Sequence, residues 1–385
     1  MAKLTVDGEP DRVNELVDAM AEEWAGGWYP RVEVSRPWSV HNPRIDGEFA
    51  NPDAIRPYLR RELGSLLARG AGITVDATRP AMSFDDPDLF AAVDEGGRDL
   101  RAKKLFLFGP ERMHLSMDRL AHYTGTSPAS FQRHVLFTNY RMHVDAFLER
   151  FPTAERPDRD GVQMPAYHQR GPDGRGVSLV EIGVGPANAK TITDHLAVLR
   201  PDAMIMIGHC GGLRNHQALG DFVLATSYVR ADHVMDEVLP LTVPVIPTHR
   251  LNRFLLAELE DRDVVFRLGS VYTTDNRNWE FDQAEAVRSM DLARCVAVDM
   301  ESATIAANGF RYRIPNATLL SVSDKPRHAA PKLQGAAREF YEAGKRQHLE
   351  IALGALEQVS AAHPDGIPNA DIRSSDEPLL GGPSD

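Results

Sequence analysis

The residues able to do chemistry fall into four stretches, each following an apolar run: EIGVGPANAK (181–190), MIGHCGGL (206–213), VAVDMESAT (296–304) and SVSDKP (321–326). Asp324 leaves the apolar ATLLSV with Ser323 before it and Lys325 and Pro326 after it. A partly shielded carboxyl there would hold its proton longer and donate it; the plainer reading is an Asx-type turn before Pro326. Glu301, in Asp299-Met300-Glu301, stands where a strand passes into an Ala-rich helix. Acids there suit the helix dipole, and the same carboxylate can grip two adjacent sugar hydroxyls with Met300 against a flat base or ribose face. Gly183-Val184-Gly185 can cradle an anion on backbone N–H groups or simply turn the chain; as a dinucleotide fingerprint it is weak, because Asn188 holds the third glycine position. In Gly208-His209-Cys210-Gly211-Gly212 the glycines let a ligand approach the backbone. There His209 is either a satisfied structural histidine or part of a site, and Cys210 is ordinarily an inert buried thiol.

Such residues converge only if strands carry them to one edge, since α/β sheets bind ligands beyond the carboxyl ends of their strands. From Val177 the pattern is strand, glycine loop, helix (AKTITDHLAVL), strand (AMIMIG), glycine loop, strand (DFVLATSYV), with further strands expected near 264–272, 296–299 and 317–323 and a helix over about 333–360. The alternation predicts a layered α/β domain on a largely parallel sheet. Upstream, Val13, Leu16, Val17, Met20 and Trp24 share a helical face, Val32 and Val34 one side of a strand, and Ile55, Leu59, Leu63 and Leu66 a second helix that Asn51 should cap. Gly70–Asp76 reads as a strand, 80–115 as irregular and charged, and 152–176 as a loop with no core. The expected organisation is an α+β domain over 1–125, an α/β domain over 126–362 and a disordered acidic tail over 363–385.

At 385 residues, two domains are expected. The net charge of −12 argues against a nucleic-acid partner. Two cysteines, Cys210 and Cys295, build neither a disulfide framework nor a four-thiolate zinc site. With Asp7 and Glu9 where a signal peptide needs an apolar core and no apolar run of membrane-spanning length, a cytoplasmic protein is expected, with no membrane partner. The serine-hydrolase elbow, HExxH, EF-hand, Walker A and zinc-deaminase signatures are absent from the sequence.

Taken together, MIGHCGGLRNHQALGDFVLA, TTDNRNWE, VAVDMESATIAANGFRYRIP and LLSVSDKPRHAAPKLQGAAREFYE resemble the AMP nucleosidases of the purine nucleoside phosphorylase superfamily. The likeness extends to VLFTNYRMHVDAF and, more thinly, WYPRVEV and YLRRELGSLL, covering about residues 28–350. It implies a phosphorylase-like three-layer α/β/α catalytic domain preceded by a smaller α+β domain, regulatory in the family. It also implies hydrolysis of AMP to adenine and D-ribose 5-phosphate, a homo-oligomer (hexameric in the family), and ATP and phosphate as effectors. No cofactor and no metal are called for. This chain looks shortened in its N-terminal domain and before Gln163.

Residue by residue, the resemblance puts the sugar on Met300 and Glu301, base protonation on Asp324 with Ser323 before it, and the base against Asn278 and Trp279. Gly183, Gly185, Cys210 and Gly211 would line the substrate. Phosphorylases carry Arg-x-Gly-Ser for the attacking phosphate where this chain reads Met206-Ile207-Gly208-His209, and a Gly-Asp-Pro turn where it reads Asn139-Tyr140-Arg141. That loss of cations favours water as nucleophile, and His209 becomes the candidate base for it. Arg277 and Lys325 are the expected partners of the 5′-phosphate, with Arg230 and His233 as further options. The competing readings are a purine nucleoside phosphorylase, another purine nucleosidase, or a catalytically silent AMP sensor.

Overall fold

The computed structural model describes residues 3–36, 45–84, 103–104, 108–327 and 338–367. The N-terminal part runs β1 (Leu4–Asp7), α1 (Val13–Ala25), β2 (Trp28–Ser35), β3 (Ile45–Glu48), α2 (Arg56–Ala68), β4 (Gly72–Pro80) and β5 (Lys103–Lys104). Its strands form a sheet in the order β1-β4-β2-β3-β5, antiparallel except at β3–β5. Leu16, Val17 and Met20 of α1 and Leu59, Leu63 and Leu66 of α2 are buried, as the helical spacing predicts. Asn51 does not cap α2. It takes a left-handed backbone with no side-chain cap bond, and a 3₁₀ turn, Pro52–Ile55, comes first.

The larger part contains α3 (Pro110–Thr124), β6 (His134–Thr138), α4 (Arg141–Arg150), β7 (Ala166–Gln169), β8 (Val177–Glu181), α5 (Pro186–Leu196), β9 (Ala203–Gly212) and β10 (Phe222–Ala231). It continues with α6 (His249–Asp261), β11 (Phe266–Thr274), α7 (Gln283–Leu292), β12 (Ala297–Asp299), α8 (Ser302–Tyr312), β13 (Asn316–Asp324) and α9 (Arg338–Ala362). The strand order is β12-β11-β10-β13-β9-β6-β8-β7. Strand β12 also pairs antiparallel with β9, so β9, β13, β10, β11 and β12 close into a ring. Pairing is parallel for β6–β8, β6–β9, β9–β13, β10–β11 and β11–β12.

All ten residues of β9 are buried, as expected of a strand covered on both faces. Ile205 and Ile207 pack with Val144 and Phe147 of α4, Leu255 of α6 and Leu349 of α9. Met204 and Met206 pack on the opposite side with Ala189 and Ile192 of α5 and Ile305 of α8. Helices thus flank the sheet on two faces, giving three layers. That second cluster runs without a break into Leu16, Leu59 and Ile73 of the N-terminal part through Met113, Met117 and Leu120 of α3.

Three expectations need correction. The stretch read as irregular to residue 115 ends in α3, which Pro110 opens and the αL residue Gly125 closes; 85–102 and 105–107 lie outside the described residues. The stretch 152–176 does hold core, because β7 lies in it and Met164, Ala166 and His168 are buried. Of the acidic tail, 368–385 lie outside the described residues, but its start is packed: Ile367 is buried and Arg133 donates to the carbonyl of Pro364.

Candidate active site

The ring of strands converges on Gly211. On one side it pairs with Val298 of β12, and on the other its register partner is Asp324 of β13. A Cβ on Gly211 would lie 3.0 Å from Val298 and 3.3 Å from Pro326, so any side chain there would press on both neighbours. The two candidate acids therefore arise on the two strands that flank one residue: Asp324 ends β13, and Glu301 follows β12 by two residues.

Glu301 sits just before α8 and is 1% exposed. Its Oε1 accepts the backbone N–H of Gly185 at 2.6 Å, and its Oε2 accepts from Asn139 Nδ2 at 3.1 Å. Gly183 (φ +69°) and Gly185 (φ +110°) hold backbone conformations that side-chain-bearing residues rarely adopt. That turn aims the Gly185 N–H at the carboxylate. The acceptor held by the glycine loop is thus a side chain of the chain itself. Burial, reinforced by the neighbouring Asp299, pushes the Glu301 carboxyl up to about 8, although both hydrogen bonds favour its charged form.

Asp299 has a different task. Its Oδ1 accepts from Thr273 Oγ1 at 2.6 Å, and its Oδ2 accepts from the Ser302 backbone N–H at 3.0 Å and from the Ser302 hydroxyl. It ties β11 to the start of α8 and so fixes where Glu301 stands. Of the pair, Asp299 has more donors and is the better placed to carry charge.

Asp324 is half-buried, and its Oδ1 accepts from Ser323 Oγ at 2.6 Å. The same hydroxyl lies 3.4 Å from the Cys210 carbonyl, which links the ends of β13 and β9. Cys210 itself is buried among Val223, Val271 and Ala303. Met300 is half-buried between the two acids along the chain.

The family model for the phosphorylase superfamily matches residues 118–357, which include every strand of the larger sheet. AMP nucleosidase of Escherichia coli strain K12 is 43% identical over 446 aligned positions, covering 94% of this chain and 91% of that protein. The chain belongs to the AMP nucleosidase family. Its alignment is longer than the chain's 385 residues, so the relative carries segments this chain does not. The crystal structure of AMP nucleosidase from Bacteroides thetaiotaomicron superposes with a TM-score of 0.55 at 29% identity, covering 65% of this chain and 99% of that one. Purine nucleoside phosphorylase from Toxoplasma gondii, 15% identical with a TM-score of 0.54, shares the fold over 62% of this chain and 95% of its own.

Within this family member, the departures from the phosphorylase pattern have a clear structural setting. Met206 is buried in the core beside α5 and α8, so no cation occupies that place on β9. Arg141 points to the sheet edge, donating to Tyr167 Oη at 2.8 Å. His209 projects to the opposite face of β9 from Met206, its ring centroid 4.1 Å from that of Tyr140.

The expected base and phosphate residues are not all gathered. Trp279 is buried against Leu213, Tyr272 and Val298, and lines a cavity of about 680 Å³ at the carboxyl ends of β10 and β11 with Tyr228, Thr274 and Asn276. Arg277 and Asn278 are exposed. Lys325 Nζ donates to the Asn215 carbonyl at 2.8 Å. Arg230 and His233 line the same cavity as Trp279, where Arg230 donates to the Leu239 carbonyl at 2.9 Å and to that of Pro240, and His233 Nδ1 pairs with Asp236 at 2.9 Å. Sequence reasoning missed Asn139 as a partner of Glu301; its place at the end of β6, level with the glycine loop after β8, is the signal that could have found it.

Proposed function

We propose that the chain hydrolyses the N-glycosidic bond of AMP, releasing adenine and D-ribose 5-phosphate. The observation that carries this reading is the 43% identity to an AMP nucleosidase across 94% of the chain. Asp324 ending the strand on one side of Gly211, and Glu301 following the strand on the other, support it.

Breaking the bond develops positive charge on the ribose ring. Adenine leaves poorly as an anion, and a proton on N7 makes it a neutral leaving group. Asp324 supplies that proton, its carboxyl oriented by Ser323; general acid catalysis of this kind is worth about 10²–10⁴-fold. Glu301 grips the 2′- and 3′-hydroxyls, and its charge, once the hydroxyl donors draw it out, favours the cationic transition state. Met300 and Trp279 contact sugar and base, with Asn278 beside them. Gly183, Gly185, Cys210 and Gly211 form the backbone floor. Arg277 and Lys325 serve the 5′-phosphate, Lys325 by giving up its hold on Asn215. With nothing bound to its ring, His209 is the candidate base for water. The buried Met206, in place of a phosphate-binding arginine, supports water over inorganic phosphate as the nucleophile.

The division into a domain over 1–125 and a catalytic domain over 126–362 belongs to the same reading, as do assembly into a homohexamer and control by ATP and phosphate. Control has its seat at the seam between the two parts. A cavity of about 260 Å³ there is lined by Arg56, Arg60, Arg61, Arg133, Arg170 and Arg200. Asp202, which Arg61 and Arg133 share, would compete with an incoming anion. Product analysis on AMP tests the function: adenine and ribose 5-phosphate formed without added phosphate support it. Ribose 1-phosphate from adenosine would mean a phosphorylase, and binding without adenine release a silent sensor.

A further inference from the structure

On the face of β9 turned toward α4 and α9, three histidines from three elements meet. His143 comes from the first turn of α4, His209 from β9 and His348 from α9. All three are buried, and one ring nitrogen from each lies within 4.8 Å of those of the other two.

Two of the rings are oriented by their far nitrogens. His348 Nε2 lies 2.8 Å from the Leu319 carbonyl. A carbonyl only accepts, so Nε2 carries the proton and the neutral ring keeps its lone pair on Nδ1. His143 Nδ1 lies 2.7 Å from Thr138 Oγ1, and this leaves Nε2 for the cluster. Among the described residues, neither His143 Nε2 nor His348 Nδ1 has a hydrogen-bond partner. Burying such nitrogens without a partner disfavours the empty arrangement.

An imidazole fixed by a carbonyl on one nitrogen, with its other nitrogen unpaired beside further imidazoles, is the arrangement found around metal-bound histidines. The cluster contains no carboxylate. Neutral nitrogen donors suit zinc and its first-row neighbours, whereas magnesium and calcium select oxygen.

We propose that His143, His209 and His348 bind one divalent transition ion of the zinc class, which ties α4 and α9 to β9 immediately behind the candidate active site. The three residues are spaced 66 and 139 apart in the chain, so no metal-binding pattern is visible in the sequence. Ligation of His209 and its service as a free base exclude one another, so the metal-bound protein must activate water by another group.

The test uses the untagged full-length protein, stripped with chelator, reloaded with Zn²⁺ and desalted. Retention of one equivalent of zinc per chain by mass spectrometry, with a melting temperature raised by several degrees, is the expected result. Co²⁺ in place of zinc should give visible d–d bands characteristic of low-coordinate nitrogen ligation. His143→Gln and His348→Gln should each lower retention at least tenfold. Metal retained undiminished by both folded variants overturns the proposal, as does wild-type protein that keeps no zinc and shows no cobalt bands. If the variants do not fold, the wild-type cobalt spectrum decides alone. The readout is metal content, so its outcome is independent of whether AMP is the substrate.

Discussion

Replacing Glu301 by Gln removes a buried acid while keeping its shape, and the consequence depends on pH. In the folded chain this carboxyl holds its proton up to about 8, against an ordinary value of 4.5. The unfolded chain releases the proton near 4.5, so between these values the folded state binds more protons than the unfolded one. Wild-type stability must therefore fall as pH rises through that window: the group's contribution is intact below 4.5 and lost once pH passes the folded value. At about 1.4 kcal/mol for each tenfold change, the full loss is about 3–5 kcal/mol. Glu301→Gln does not titrate and escapes it. For a chain of 385 residues, this corresponds to a melting temperature about 4–6 °C above wild type at pH 8 and near equality at pH 5. Thermal melts followed by circular dichroism from pH 5 to 8.5 check it. The same variant should lose at least ~10²-fold in turnover, because an amide cannot supply the charge opposite the ribosyl cation. A melting difference between variant and wild type that stays constant from pH 5 to pH 8 would refute the reasoning.

Further outcomes are expected at neighbouring positions. Asp324→Asn should lower kcat by about 10²–10⁴-fold with an unchanged melting curve; steady-state kinetics on the folded variant decide it. Asp299→Ala strips the acceptor from Thr273 and Ser302 and should cost about 3 kcal/mol in urea unfolding. Gly185→Ala forces a side chain onto a φ of +110° and should cost about 1–3 kcal/mol; it should also displace the N–H that holds Glu301, which a rise in KM for AMP would register.

Much of this site is written locally. Asp324 leaves a buried strand of nine residues, and Glu301 stands at a strand-to-helix change, so composition alone placed both at strand ends. What stayed hidden depends on contacts distant in sequence. The partner of the Gly185 N–H is 116 residues away, and the pairing of β12 with β9 that closes the ring joins segments about 85 residues apart. Glycine-loop chemistry alone suggests an external anion, and only the fold reveals that Glu301 already fills that place. Strand β7 was masked by its Pro- and Gly-rich surroundings, and α3 by a mixed polar face that buries Ser116 and Thr124 along with its methionines. Arg230 is a further option for the phosphate in the sequence; the fold adds that it lines the Trp279 cavity while holding the loop at Leu239 and Pro240, contacts that no spacing reveals.

The central claim is that this chain splits AMP with water, and quantifying sugar products bears on it most directly. AMP incubated with the enzyme in phosphate-free buffer should yield adenine and ribose 5-phosphate in equal amounts, with the product unchanged when inorganic phosphate is added. A sugar phosphorylated at C1 that forms only in the presence of phosphate, or AMP left intact by folded enzyme, would contradict it.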